Sequence, residues 1–282
     1  MVCYLFSLPC LSHASTKDSI TWMEVNMPPS FIQKGPLKNQ GYSDVIGNLI
    51  REHLTDYEHH RIVTNVVRHF DDFKSGKKVC GIDLYKTKER EAFMYFSLPC
   101  VLTLPPVLVV RKDKSDMFGT DTDVSLETIL ANEEFRLGLS SDRSYGQRLD
   151  ALLQQHLERK NLTVFSGQEL RQNYFKMLLL DRLDGLIALP CEAKYHAEQM
   201  GILDQISIVM LRESQQDPEA WMSSVACPKN AWGREVIDKI NIVLIQLRPS
   251  APYRQAYERW IGENRLRQYR STYNDLFLPT RP

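Results

Sequence analysis

The run Lys88-Glu89-Arg90-Glu91 sets an arginine between two acids, directly before Phe93, Tyr95 and Phe96 of the stretch YKTKEREAFMYFSLP. Charge runs are usually solvated surface, so one reading makes this a solvated turn before a buried strand. The other turns Arg90 into a cleft. A guanidinium is a planar fork of donors that meets a carboxylate through two parallel hydrogen bonds, so an arginine placed there grips a small anion. Local sequence leaves both readings open.

No other grouping offers comparable chemistry. His59 and His60 are adjacent, so on a strand their side chains diverge and form no metal pair. His69, Asp71 and Asp72 fall on a short helical stretch and read as surface. The chain carries no G-x-S-x-G, no P-loop and no H-E-x-x-H.

The elements that must position Arg90 belong to a chain of 282 residues, enough for one large or two ordinary domains. It is 43% hydrophobic and 25% charged, an ordinary globular balance. Lys plus Arg and Asp plus Glu each number 35. A net charge of zero argues against a general nucleic-acid binder, which carries a basic stripe. No run of about 20 apolar residues spans a membrane. Residues 1–17 read as a truncated export signal: Val2–Leu11 is apolar, and Ser12 and Ala14 suit cleavage after Ala14. No positive charge precedes the apolar part, so a loosely packed terminus is the other reading. A lipoprotein site at Cys10 fits less well, because Pro9 stands where a small residue is wanted. Beyond this segment lie Cys80, Cys100, Cys191 and Cys227, with no C-x-x-C spacing. Zinc and redox motifs are unsupported, and an exported chain with four cysteines suits zero, one or two disulfides.

Alternation of strand and helix predicts a parallel-rich α/β protein. Ile20–Asn26 reads as a strand ended by Pro28-Pro29, and residues 41–53 as a helix with Val45, Ile46, Leu49 and Ile50 at helical spacing. Further strands are expected at Arg61–Val67, Val79–Leu84 and Val107–Val110, with a short helix at His69–Lys74. A second series follows: a helix capped by Ser125, strands at Phe135–Leu139, Leu162–Phe165 and Leu186–Leu189, and helices at Tyr145–Leu157 and Gln168–Leu179. The tail adds a strand at Ser223–Cys227 and helices at Gly233–Leu247 and Ala251–Ile261.

The order of these pieces resembles the bacterial extracellular solute-binding proteins of family 3. The likeness rests on ITWMEVNMPPSF, GYSDVIGNLI, FKSGKKVCGIDLYKTKEREAFMYFSLP, LGLSSDRSYGQRL, RLDGLIALP and VACPKN, and covers residues 18–262. The T-x-E-R segment is its most specific part. The resemblance implies an α/β fold of the type II periplasmic-binding-protein kind: two lobes, each a mostly parallel sheet flanked by helices, with the cleft between them. Lobe one would be residues 18–103 and 222–282, and lobe two residues 106–218. The crossings would lie near Leu102–Pro106 and Glu219–Met222.

It implies, too, that Arg90 faces the cleft and pairs with a ligand carboxylate. Ser140, Ser141, Arg143 and Ser144, at a helix start in lobe two, would add donors or charge, with simple N-capping as the alternative. Family members that bind amino acids often carry an acid where this chain has Leu189. Glu24 and Asp83 map to lobe one's side of the cleft as replacement acids, with Tyr85 and Met27 as its wall. Each has a plainer reading, ion pairing for the acids and packing for Tyr85. The strand order of the fold sets Val79–Leu84 antiparallel beside Ser223–Cys227, which implies a Cys80–Cys227 disulfide. The expected function is periplasmic capture of a small polar or anionic solute, an amino acid or organic acid, for ABC-type uptake or sensing. A monomer is expected, with no cofactor, metal or nucleic acid, and a membrane permease or sensor as partner. Two alternatives stand: an enzyme on the same fold, resembling cyclohexadienyl dehydratases and using Glu24, Asp83 or Asp142, and a ligand-sensing signalling module.

Overall fold

The computed structural model describes residues 17–281, apart from 119–122, 141–142, 166–170 and 217. Among them are two sheets. The first has the order β2-β1-β3-β11-β4, from β1 (Asp18–Glu24), β2 (Tyr57–Val63), β3 (Val79–Leu84), β4 (Met94–Leu102) and β11 (Met222–Pro228). β1 runs parallel to β2 and β3, while β11 inserts antiparallel between β3 and β4. The second has the order β6-β10-β5-β9-β7-β8, from β5 (Val107–Arg111), β6 (Asp123–Val124), β7 (Leu137–Ser140), β8 (Leu162–Phe165), β9 (Gly185–Ala188) and β10 (Ile206–Leu211). Val107, Leu108, Val109 and Val110 have no exposed surface. Their uninterrupted apolar run is what a strand covered on both faces requires. The chain passes from the first sheet to the second at residues 103–106 and returns between β10 and β11.

Helices cover both sheets: α1 (Tyr42–His53), α2 (Val66–Lys74), α3 (Lys88–Glu91), α4 (Leu126–Ala131), α5 (Gln147–Gln154), α6 (Arg171–Leu179), α7 (Pro190–Met200), α8 (Ala231–Leu247), α9 (Ala251–Glu258) and α10 (Glu263–Thr272). Ile46 and Ile50 of α1 and Val236, Ile240 and Leu244 of α8 share one buried apolar cluster with Ile20 and Trp22 of β1. Two of the placements that differ from the sequence reading have a local cause. β2 ends at Val63 rather than Val67, because Asn65 caps α2 by accepting from the Arg68 amide at 2.9 Å. The charged run forms α3, with Thr87 accepting from the Arg90 amide. No helix among the described residues is long and apolar enough to cross a membrane.

Cys80 and Cys227 form a disulfide, with Cα atoms 4.5 Å apart. The β3–β11 register supplies that proximity, since Ala226 pairs with Gly81. Cys100 and Cys191 are buried free thiols.

Candidate functional site

Ligands of open α/β sheets sit outside the carboxyl ends of the parallel strands. In the first sheet, β1 leads there into a turn at Met27–Phe31, where the Met27 carbonyl accepts from the Ser30 and Phe31 amides at 2.9 and 3.0 Å. This turn docks on the start of α1. The Tyr42 amide donates to the Pro29 carbonyl and the Ser43 amide to the Ser30 carbonyl, both at 3.0 Å. Asp44 fixes the joint by accepting from the Ile32 and Gly41 amides at 2.9 and 3.0 Å. A β-carbon at Gly41 would lie 2.1 Å from the Ser30 carbonyl oxygen, so only glycine permits the approach.

The joint brings two serines to Asp83, near the end of β3. Its Oδ2 accepts from Ser30 Oγ at 2.5 Å and Ser43 Oγ at 3.0 Å, and its Oδ1 accepts from Ser223 Oγ at 2.5 Å. All three serines are buried. Asp83 itself is half-buried and adopts φ 66°, in the left-handed region that aspartate tolerates. Desolvation outweighs the three hydroxyl donors and raises its pKa. Tyr85 lies beyond, its phenol within hydrogen-bond reach of Thr103; burial and the Asp83 charge push its pKa up to about 12.

Arg90 is half-buried on α3. Its Nη1 donates to the Tyr85 carbonyl at 2.8 Å, and its guanidinium lies 4.9 Å from the centre of the Phe70 ring. Among the described residues no carboxylate forms an ion pair with it. Burial lowers its pKa, with Glu89 opposing. Glu24, by contrast, is occupied. It accepts from Arg61 at 2.7 and 2.9 Å and from Gln33 at 3.0 Å, and Arg51 stands 3.8 Å away. Met27 is half-buried in its turn.

The second sheet contributes the β7–α5 connection and the start of α7. Arg143 Nη1 donates to Glu192 Oε2 at 2.5 Å, and its guanidinium lies 5.4 Å from the Tyr145 ring centre. Desolvation disfavours the Arg143 charge, but the Glu192 carboxylate more than offsets this and holds its pKa above the ordinary range. Ser140 is buried, its amide donating to Tyr145 Oη at 2.7 Å. Ser144 is exposed and turns to Asp150 and the Gly146 amide, ordering the start of α5. Ser141 and Asp142 lie outside the described residues. Leu189, Cys191 and Tyr195 pack into the first sheet's apolar cluster with Tyr42, Tyr257 and Trp260.

The structure therefore gathers Asp83, Tyr85 and Arg143 at one place, where Arg143 acts electrostatically on both partners across the two sheets. It sets Glu24 into a separate buried ion-pair network, and Ser144 on the surface. Sequence reasoning missed Ser30, Ser43, Ser223 and Glu192. Only Glu192 left a local signal: an acid three residues after the chain position preceding a proline-initiated helix, reaching back to the Leu189 amide at 3.3 Å.

Two sheet-based lobes, joined by two linking segments, with polar side chains from both gathered about Asp83 and Tyr85, are the layout of a two-lobed solute-binding protein. The family model for bacterial extracellular solute-binding proteins, family 3, matches residues 20–263, and the chain belongs to that family. Among solved structures, it is similar to an ancestral arginine-binding protein bound to arginine, at 19% identity and TM-score 0.62, covering 88% of this chain and 99% of that one. A structure from work on glutathione import and the cystine ABC importer of Streptococcus mutans matches at 16% identity and TM-score 0.65, covering 86% and 95%. A histidine kinase sensor domain with similarity to periplasmic binding proteins matches at 14% identity and TM-score 0.61, covering 87% and 96%. A search of curated proteins by sequence finds no significant match.

Proposed function

We propose that this solute-binding protein is exported and captures a small solute through a carboxylate held by Arg90. One observation carries the reading: Arg90 is half-buried yet, among the described residues, its donors meet one carbonyl and no acid. A partly desolvated guanidinium in that condition gains most from a bidentate anion. The lobes are residues 18–103 with 222–282, and residues 106–218, and the solute stabilises the closed state by its differential affinity for it. The first linking segment reaches the site and is bonded to the second. Thr103 contacts Tyr85 and donates to the Trp221 carbonyl at 3.2 Å, and Ser223 holds Asp83. A solute there acts on the hinge directly, and the closed form serves a permease or a sensor.

Binding rather than catalysis is favoured because the acids are engaged. Glu24 is held by Arg61 and Gln33, and Glu192 by Arg143. Among the described residues, Asp83 has no carboxylate beside it that is not already engaged in an ion pair. A thermal-shift screen of small carboxylates and amino acids tests the reading. A solute at about 100 times its dissociation constant adds about 2.7 kcal/mol, and a panel in which no carboxylate raises the melting temperature would reject it.

A further inference from the structure

We propose that a seam of the chain's own apolar side chains, Leu189, Cys191 and Tyr195 packed with Tyr42, Tyr257 and Trp260, holds the two lobes closed, so that the resting protein opens only transiently to admit a solute. The inference uses the two-lobed reading and is independent of Arg90. Leu189, Cys191 and Tyr195 belong to the chain between β9 and β10 of the second sheet, yet they pack in the first sheet's apolar cluster. Leu189 is 5% exposed and Cys191 not at all. The Tyr195 ring stands edge-on to Trp260, with ring centres 5.8 Å apart. Trp260 is buried with its indole Nε1 unbonded, so apolar contact is what places it there. Tyr257 meets Tyr42 edge-on at 5.2 Å, and its hydroxyl accepts from the Leu104 amide at 2.9 Å, which ties the seam to the first linking segment. One more contact crosses between the two units: Arg265 of α10 donates to the Met210 sulfur on β10. Tyr42 lies in the electrostatic field of Asp83 and of Cys191 alike, so the seam borders the site. Opening the lobes would draw Leu189, Cys191 and Tyr195 out of that cluster and return their surface to water. The cost scales with the apolar area exposed and calls on no solute. A cleft with polar walls alone would gain nothing from closing until a solute bridged them. With the closed form already populated, a solute shifts the equilibrium only by the remaining margin, and its entry waits on opening.

Small-angle X-ray scattering of the full chain, freed of solute by dialysis from urea, is the test, with Tyr195→Phe and Tyr195→Asp measured beside it. The wild-type protein and Tyr195→Phe, which keeps the ring, are expected to scatter as the closed form. Tyr195→Asp sets a carboxylate against Trp260, where an unpaired charge is costly to bury. Its closed-to-open ratio is expected to fall by about 100-fold, the scale of withdrawing one large apolar side chain from a buried site, and its radius of gyration to rise. A wild-type protein that scatters as an open form without solute would overturn the inference, whether or not a variant folds. So would a folded Tyr195→Asp as compact as wild type. No solute enters the measurement, so a failure of the Arg90 reading, which shows only in titrations with carboxylates, is a separate outcome.

Discussion

His69 lies buried on α2 with neither ring nitrogen hydrogen-bonded. Its ring packs 5.2 Å from the centre of Phe73 and against the β3 backbone, where a β-carbon at Gly81 would come within 2.6 Å of Nε2. Desolvation first, and the nearby Arg90 charge second, lower its pKa to about 4, with Asp72 opposing. The ordinary value is about 6.5. A depressed pKa means the unfolded chain binds the proton more readily, so the contribution to stability is full above about pH 6.5 and is lost as pH falls towards about 4. With a folded value of about 4, protonation linkage assigns this group a loss of about 2 kcal/mol between neutral pH and pH 5, rising to about 3 kcal/mol in stronger acid. His69→Leu removes the titration and leaves an apolar side chain of similar size. Its stability near neutral pH is expected within about 1 kcal/mol of wild type, because an unbonded imidazole surrenders no hydrogen bond. Urea denaturation of both proteins near neutral pH and near pH 5 is the assay, and the difference between their pH slopes isolates His69 from His59, which is also depressed. Parallel stability–pH curves would refute the reasoning. Phe70, which neighbours His69, also supports Arg90, so acid is expected to weaken solute binding along with the fold.

Gly41→Ala is expected to destabilise by about 1–3 kcal/mol through overpacking against the Ser30 carbonyl, and to lower solute affinity; melting and titration curves equal to wild type would show that the turn and α1 need not touch. The Cys80–Cys227 bond closes a separation of 147 residues, so Cys227→Ser is expected to cost about 5 kcal/mol as an upper figure from chain entropy. Denaturant unfolding measures it, and non-reducing peptide mapping of protein from an oxidising compartment must recover the bridged peptide. Glu192→Gln should release the Arg143 charge and improve dicarboxylates over monocarboxylates by about tenfold, the scale of one charge-assisted bond. An unchanged ranking in calorimetry would leave the pair a purely structural role.

Where one physical signal dominates, the sequence was readable. VLVV announces a covered strand, and the helix starting at Tyr42 shows its apolar stripe. The bridging register followed from the resemblance, since the order of strands fixes which cysteines meet. α7 left little trace, because its buried face includes Glu192 and His196 alongside Cys191 and Ala193, a mixture without clean periodicity. β10 and α10 were missed too, the tail helix being almost wholly polar with only Tyr269 buried. Arg90 drew notice by composition, an arginine set among acids before an apolar run, but only the resemblance turned it towards a cleft. The Asp83 cradle drew none, because Ser30, Ser43 and Ser223 come together only when the Pro turn docks on α1 and β11 inserts beside β3. Glu24 takes the plainer of its two readings, ion pairing, for a related reason: its partner Arg61 sits on the neighbouring parallel strand, where Trp22 and Arg61 share a register position two residues before it.

The most direct measurement is calorimetric titration of wild-type protein and Arg90→Ala with the solute that co-purifies from the native host. The account predicts one-to-one binding by the wild-type protein. It predicts a loss of at least about tenfold in the variant, the lower end for a charge-assisted pair, with the melting temperature of the unliganded protein unchanged. Equal affinity in the two proteins would contradict it.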